Sequence, residues 1–217
     1  NIAEVLAMFI LIVIGLPAPL IAIHLLWVNL ITDSLPAIAL GMQPKEDGIM
    51  NDKPRDPNEG VFAHGGTLLT FGYGFIITVA VIIAYFSCAW MNGVAGISNV
   101  KEFYLNNAVM LHQARTMAFT TLAIGELFHM LGMSDVRHSF VHVFKDKNYM
   151  MFIAFVLGIL LQLLVIEVPG ISDVFSTANL DYKEWLLTIG LSILPLVVHE
   201  LVVLYNYIKN KNLSKKG

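Results

Sequence analysis

Of the 217 residues, 57% are hydrophobic and only 13% charged, with a mean hydropathy of +0.71, whereas about a quarter of the residues in an ordinary soluble domain are charged. That composition excludes a water-soluble globule and a disordered chain, and a single cysteine, Cys88, excludes both a disulfide framework and a thiolate metal cluster. A net charge of −3 leaves no global basic field for gripping nucleic acid.

A membrane helix needs about 20 apolar residues, each rising roughly 1.5 Å. Read by length and by the polar breaks between them, spans are expected over residues 1–14, 20–42, 67–91, 113–133, 149–168 and 185–208. The first is too short to cross and has neither an initiator Met nor a basic signal-peptide region, so it is expected to be the end of a helix that begins upstream. The predicted fold is therefore all-α: a single transmembrane helix bundle of about five and a half spans, with the lipid bilayer as its first partner.

Orientation follows from where Lys and Arg collect, because cytoplasmic loops keep positive charge near span ends. Lys45, Lys53 and Arg55 fall in loop 43–66, Arg137, Lys145 and Lys147 in loop 134–148, and Lys209, Lys211, Lys215 and Lys216 in the tail 209–217. The opposite side holds only Lys101 and Lys183, with Arg115 at the start of the fourth segment. This asymmetry predicts that the C-terminus of this integral, multi-pass protein is cytoplasmic; the cell membrane is the expected location, with an internal membrane as the alternative.

An ionisable side chain at membrane depth costs several kcal/mol unless it pairs, meets water or binds an ion. The candidates are Asn1 and Glu4 in the first segment; His24, Asn29, Thr32 and Asp33 in the second; Glu126 and His129 in the fourth; Gln162 in the fifth; His199 and Glu200 in the sixth. Asn1 and Glu4 share one helical face, and so do Asn29, Thr32 and Asp33. The short Gly15-Leu16-Pro17-Ala18-Pro19 connection makes the two faces antiparallel neighbours. All of these groups offer oxygen, which suits hard cations such as calcium, magnesium or manganese. Pro36 has no N–H, so the Thr32 carbonyl loses its helical partner beside Asp33. Broken helices of this kind recur where membrane proteins coordinate ions.

The run His24-Leu-Leu-Trp-Val-Asn-Leu-Ile-Thr-Asp-Ser-Leu-Pro-Ala-Ile-Ala-Leu-Gly41 resembles the sixth transmembrane helix of P-type calcium pumps of the sarcoplasmic reticulum type. Asn1-Ile-Ala-Glu4 and the following Gly-Leu-Pro turn resemble the family's fifth helix, Asp47 to Pro57 its next cytoplasmic loop, and Arg115-Thr-Met-Ala through Glu126 its eighth helix. The resemblance covers the whole chain and is closest through about Pro57. It implies the last five and a half of ten helices.

Carried over by position, the resemblance implies Asn1, Glu4, Thr32, Asp33 and Glu126 at one calcium site, and Asn29 with Asp33 at a second. The acidic Glu126 favours two ions, and the loop with Asp47 and Asp52 is implied to touch the phosphorylation domain. Calcium is thus the implied cargo. Magnesium and ATP would act in the parent enzyme, whose N-terminal helices and actuator, phosphorylation and nucleotide-binding domains would be this chain's partners. No Asp-Lys-Thr-Gly sequence or glycine-rich phosphate loop occurs in these residues, so they supply the transport end and not ATP hydrolysis.

Two other classes compete: a P-type pump for manganese, sodium or protons, and a non-catalytic membrane scaffold in which the polar groups only join helices. The remaining polar residues read as structural. His24 and His129 are expected to be satisfied by neighbouring helices, Gln162 to bond across an interface, His199 and Glu200 to serve packing after Pro195, and Glu167 to reach the interface.

Overall fold

The computed structural model describes residues 1–43, 54, 59–60, 62–63, 65–134, 139–141 and 149–213. Most of loops 43–66 and 134–148, including Asp47, Asp52, Lys45, Lys53, Arg55, Arg137, Lys145 and Lys147, lies outside the described residues, as do residues 214–217. Among the described residues every regular element is helical.

Helix α1 (Ile2–Val13) ends at Gly15, which adopts φ +84°. The Gly15 N–H donates to the Ile12 carbonyl and the Leu16 N–H to the Leu11 carbonyl, both at 2.9 Å. This pair closes a Schellman motif, and the positive φ is why glycine stands there. After the Pro17-Ala18-Pro19 turn the chain re-enters as α2 (Ala22–Trp27), a π-helical turn (Val28–Thr32) and α3 (Ser34–Gly41), which together form one span. Helix α4 (Gly66–Met91) follows, then α5 (Ile97–Asn106), α6 (Ala108–Met133), α7 (Tyr149–Glu167), α8 (Ile171–Phe175), α9 (Tyr182–Ser192) and α10 (Leu194–Leu213).

Among the described residues, Ala22–Gly41, Gly66–Met91, Tyr149–Glu167 and Tyr182–Lys209 are long and apolar enough to cross a membrane, and the chain is an integral membrane protein. The last of these is interrupted between α9 and α10, where Pro195 cannot donate to the Leu191 carbonyl. Helix α6, at 26 residues, is roughly 39 Å long, yet it is absent from this apolar set because it carries Arg115 and Glu126 among its polar residues. The bundle accounts for this. Helix α6 packs against α4, α5, α7, α9, α10 and the π-helical turn, and the run Thr116 to Gly125 is buried throughout. A helix wrapped by other helices meets little lipid, so it needs no apolar circumference.

The main core lies where α1, α4 and α6 meet, around Leu11, Val81, Tyr85, Met117 and Phe119, all 0% exposed. Two short elements, α5 and α8, fold back onto the bundle where the sequence suggested only loops. Helix α9 starts with a capping box: the Asp181 side chain accepts from the Glu184 N–H at 2.8 Å, and the Asp181 N–H donates to the Glu184 carboxylate at 2.9 Å.

Close helix packing sets one expected outcome. A Cβ on Gly132 would lie 2.9 Å from His199 Cγ, whereas one on Gly72 would meet nothing within 4 Å. Gly132→Ala should lower the melting temperature of the detergent-solubilised protein, because overpacking costs about 1–3 kcal/mol of stability. Gly72→Ala should leave it unchanged or raise it, since alanine favours a helix by up to about 1 kcal/mol.

Candidate cation site

The π-helical turn is what departs from regular helix at this place. The Asp33 N–H reaches back five residues to the Val28 carbonyl at 2.9 Å, and the Ser34 hydroxyl donates to the Asn29 carbonyl at 3.3 Å. Pro36 has no N–H to offer Thr32, so regular α-helical bonding fails at the Thr32 carbonyl, inside the Asn-x-x-Thr-Asp run. Single π-helical turns inside α-helices occur frequently at functional sites, because the extra residue rotates neighbouring side chains out of their regular spacing.

Here the turn aims its polar side chains at two other helices. The Thr32 hydroxyl, fully buried, donates to Glu126 Oε2 on α6 at 3.2 Å and lies 3.1 Å from the Val28 carbonyl. The Asn29 amide donates to the Glu4 carboxylate on α1 at 3.3 and 3.4 Å, and to the Leu25 carbonyl at 2.8 Å. The Asn1 amide in turn donates to Asn29 Oδ1. Each of the two glutamates is therefore held by a donor from the π-helical turn. A carboxylate at membrane depth requires such a partner, because an unbonded charge there is costly.

Asn1, Thr32, Asp33 and Glu126 line a common cavity of about 300 Å³ between α1, α3, α4 and α6. Glu4 and Asn29 adjoin it through Asn1. His129, Tyr73, Thr70 and Met133 complete its walls, with the His129 ring 4.6 Å from that of Tyr73. The six oxygen-bearing residues singled out in the sequence thus occupy one neighbourhood. They do not converge on a point: among the described residues no three His, Cys, Asp or Glu side chains form a group spaced to hold a metal ion. Amide and hydroxyl groups bridge the carboxylates. Each bridging side chain also carries an oxygen, so rotation of Asn1, Asn29 and Thr32 turns an acceptor toward the space it now donates into.

The other polar residues have partners of their own. His24 Nε2 donates to the Phe175 carbonyl at 2.9 Å while its ring stacks 4.4 Å from Phe119. Gln162 accepts from Trp27 Nε1 at 3.0 Å, Glu200 accepts the Phe140 N–H at 2.8 Å, and Glu167 accepts from Trp185 Nε1 at 3.0 Å. The His199 side chain packs closely against Gly132. Sequence reasoning missed Tyr85 and Arg115, which grip the α1–α2 turn. A buried tyrosine in an apolar span and an arginine at a span start were the signals, but nothing in a sequence names the carbonyls they reach.

Fold and site together define a polytopic α-helical membrane protein with an oxygen-rich centre shared by three helices. A family model described as cation transporting ATPase, C-terminus, matches residues 17–205, and the chain belongs to that family. It is 32% identical over 205 residues to calcium-transporting ATPase 1 of Bacillus cereus and 37% identical over 198 residues to a calcium-transporting ATPase of Bacillus subtilis. Those alignments cover 94% and 90% of this chain but 23% and 20% of the relatives. It is also 26% identical to an endoplasmic reticulum-type calcium-transporting ATPase of Arabidopsis thaliana, over 93% of this chain and 21% of that protein. The chain thus spans about a fifth of the length of the relatives it matches.

The Thr32 contact makes a direct forecast. Thr32→Val removes the hydroxyl that donates to Glu126 while keeping the side-chain shape, and thermal unfolding should show a loss of about 1–3 kcal/mol. Thr32→Ser, which keeps the hydroxyl, should lose much less.

Proposed function

We propose that this chain is the ion-binding transmembrane part of an ATP-driven P-type calcium pump that exports calcium from the cytosol. The observation that carries the reading is the pairing of Glu4 and Glu126, from separate helices, with Asn29 and Thr32 of one π-helical turn beside Asp33. Calcium takes six to eight oxygen ligands at about 2.3–2.6 Å. Three carboxylates, two side-chain amides and a hydroxyl, together with backbone carbonyls at the break, supply the right chemistry, and the carboxylates offset the charge of a divalent ion. The relatives, named calcium-transporting ATPases, point to the same cargo.

In this reading Asn1, Glu4, Thr32, Asp33 and Glu126 form one calcium site, and Asn29 and Asp33 contribute to a second, completed by helices outside this chain. Binding replaces the present side-chain hydrogen bonds: the amides of Asn1 and Asn29 and the Thr32 hydroxyl turn their oxygens to the ion, and the carboxylates exchange N–H and O–H donors for metal. The parent enzyme, using ATP and magnesium, forms an aspartyl-phosphate in its cytoplasmic domains, and the ensuing domain movement opens the sites alternately to the two sides. The protein sits in the cell membrane with its C-terminal tail in the cytoplasm, a topology supported by the clustering of Lys and Arg.

Calcium-dependent phosphorylation of the full-length protein by ATP tests this. Asp33→Asn and Glu4→Gln should each abolish it, whereas His199→Ala should retain it. A calcium-stimulated phosphoenzyme of normal level and affinity in either carboxylate variant contradicts the ligand assignment. A wild-type response to manganese, sodium or protons but not to calcium contradicts the cargo.

A further inference from the structure

The turn joining α1 to α2 cannot hold itself. Among the described residues no backbone N–H donates to the carbonyls of Pro17 and Ala18, and Pro17 and Pro19 add no donors of their own to the turn. Two side chains do so from separate helices. The Tyr85 hydroxyl on α4 donates to the Pro17 carbonyl at 2.8 Å, and Arg115 Nε on α6 donates to the Ala18 carbonyl at 2.9 Å. Tyr85 is 0% exposed and is itself braced by α5, where the Tyr104 hydroxyl donates to the Tyr85 carbonyl at 2.6 Å and the two rings meet edge to face.

Arg115 also stands in a particular relation to the site. It and Glu126 lie about three helical turns apart along α6 and nearly in line on one face. Helix α6 therefore touches the segment from Ala18 to Thr32 at both ends: Arg115 holds the turn, and Glu126 meets the π-helical turn. A rod fixed at two points cannot slide or rotate against its neighbour. Because the same turn ends α1, the grip also fixes where Glu4 stands relative to Asn29.

We propose that Arg115 and Tyr85 are positioning residues that set the register of α1 and the π-helical turn against Glu126, and so tune cation affinity without touching the cation. The proposal rests on the functional reading above. Guanidinium suits the role because it stays charged and its N–H bonds to a carbonyl are charge-assisted.

The experiment compares two reactions of the full-length protein: phosphorylation by ATP across a calcium titration, and phosphorylation by inorganic phosphate without calcium. Arg115→Met and Tyr85→Phe should each raise the calcium concentration for half-maximal phosphorylation, by about tenfold for Arg115→Met, as expected for one lost charge-assisted hydrogen bond. The maximal level and the phosphate-derived phosphoenzyme should stay at wild-type values. Arg115→Lys, which still offers an N–H donor, should recover part of the affinity. Unchanged calcium dependence in variants that phosphorylate normally overturns the proposal. So does a parallel fall in both reactions, which marks a purely structural role. If wild type shows no calcium dependence, the functional reading fails and this inference with it, whereas a calcium-dependent wild type with unshifted variants sinks only the inference.

Discussion

The constraint on which the structure turns is the cost of a charged or polar group where water is absent. Glu4 and Glu126 sit on helices that meet membrane depth, and each has been given a hydrogen-bond donor from the same irregular turn. That requirement explains why the turn is irregular. A regular α-helix would place Asn29, Thr32 and Asp33 on one narrow stripe, whereas the π-helical turn spreads them so that Asn29 meets α1 and Thr32 meets α6. Pro36 fixes the place of the break by removing one backbone donor. The same economy appears in α6, which is polar enough to bear Arg115 and Glu126 because its neighbours screen it from lipid.

A site of this kind has an internal tension that suits transport. Hydrogen bonds from an amide and a hydroxyl satisfy Glu4 and Glu126, and in the proposed function a cation competes for the same carboxylates with the same side chains reversed. Binding and release then become exchanges between two sets of satisfied contacts, so neither state leaves a buried charge exposed to hydrocarbon. Such an exchange works only if the three helices keep their register while side chains turn. That is the role assigned to the grip on the Pro17 and Ala18 carbonyls at the far end of the hairpin.

Much of this was legible in the sequence because membrane physics leaves strong marks. Length and hydropathy mark the cores of the segments that became α2–α3, α4, α7 and α9–α10, and the scarcity of polar residues gives a short candidate list from which the family resemblance picks Asn1, Glu4, Asn29, Thr32, Asp33 and Glu126. Helix α6 starts at Ala108 and not near Gln113, because its first turns are capped by Asn107 and pack on α5, so apolar length alone misplaces its beginning. The short α5 and α8 escaped for a similar reason: Val100 and Tyr104 bury against the bundle, but so brief a pattern does not stand out from a polar loop. The π-helical turn was readable only as a break, since Pro36 says where bonding fails but not how the chain repairs it. Tertiary contacts such as Arg115 to Ala18 pair a side chain with a backbone carbonyl, and any residue could have supplied that carbonyl.

The central claim is that oxygens from α1, the π-helical turn and α6 gather around one divalent ion. A structure of the full-length protein with calcium bound, its ions located by anomalous scattering, tests this most directly. The account predicts a calcium peak with carboxylate oxygens of Glu4, Asp33 and Glu126 at about 2.3–2.6 Å. A peak coordinated elsewhere, with Glu4 and Glu126 still bonded to their present amide and hydroxyl partners, contradicts it.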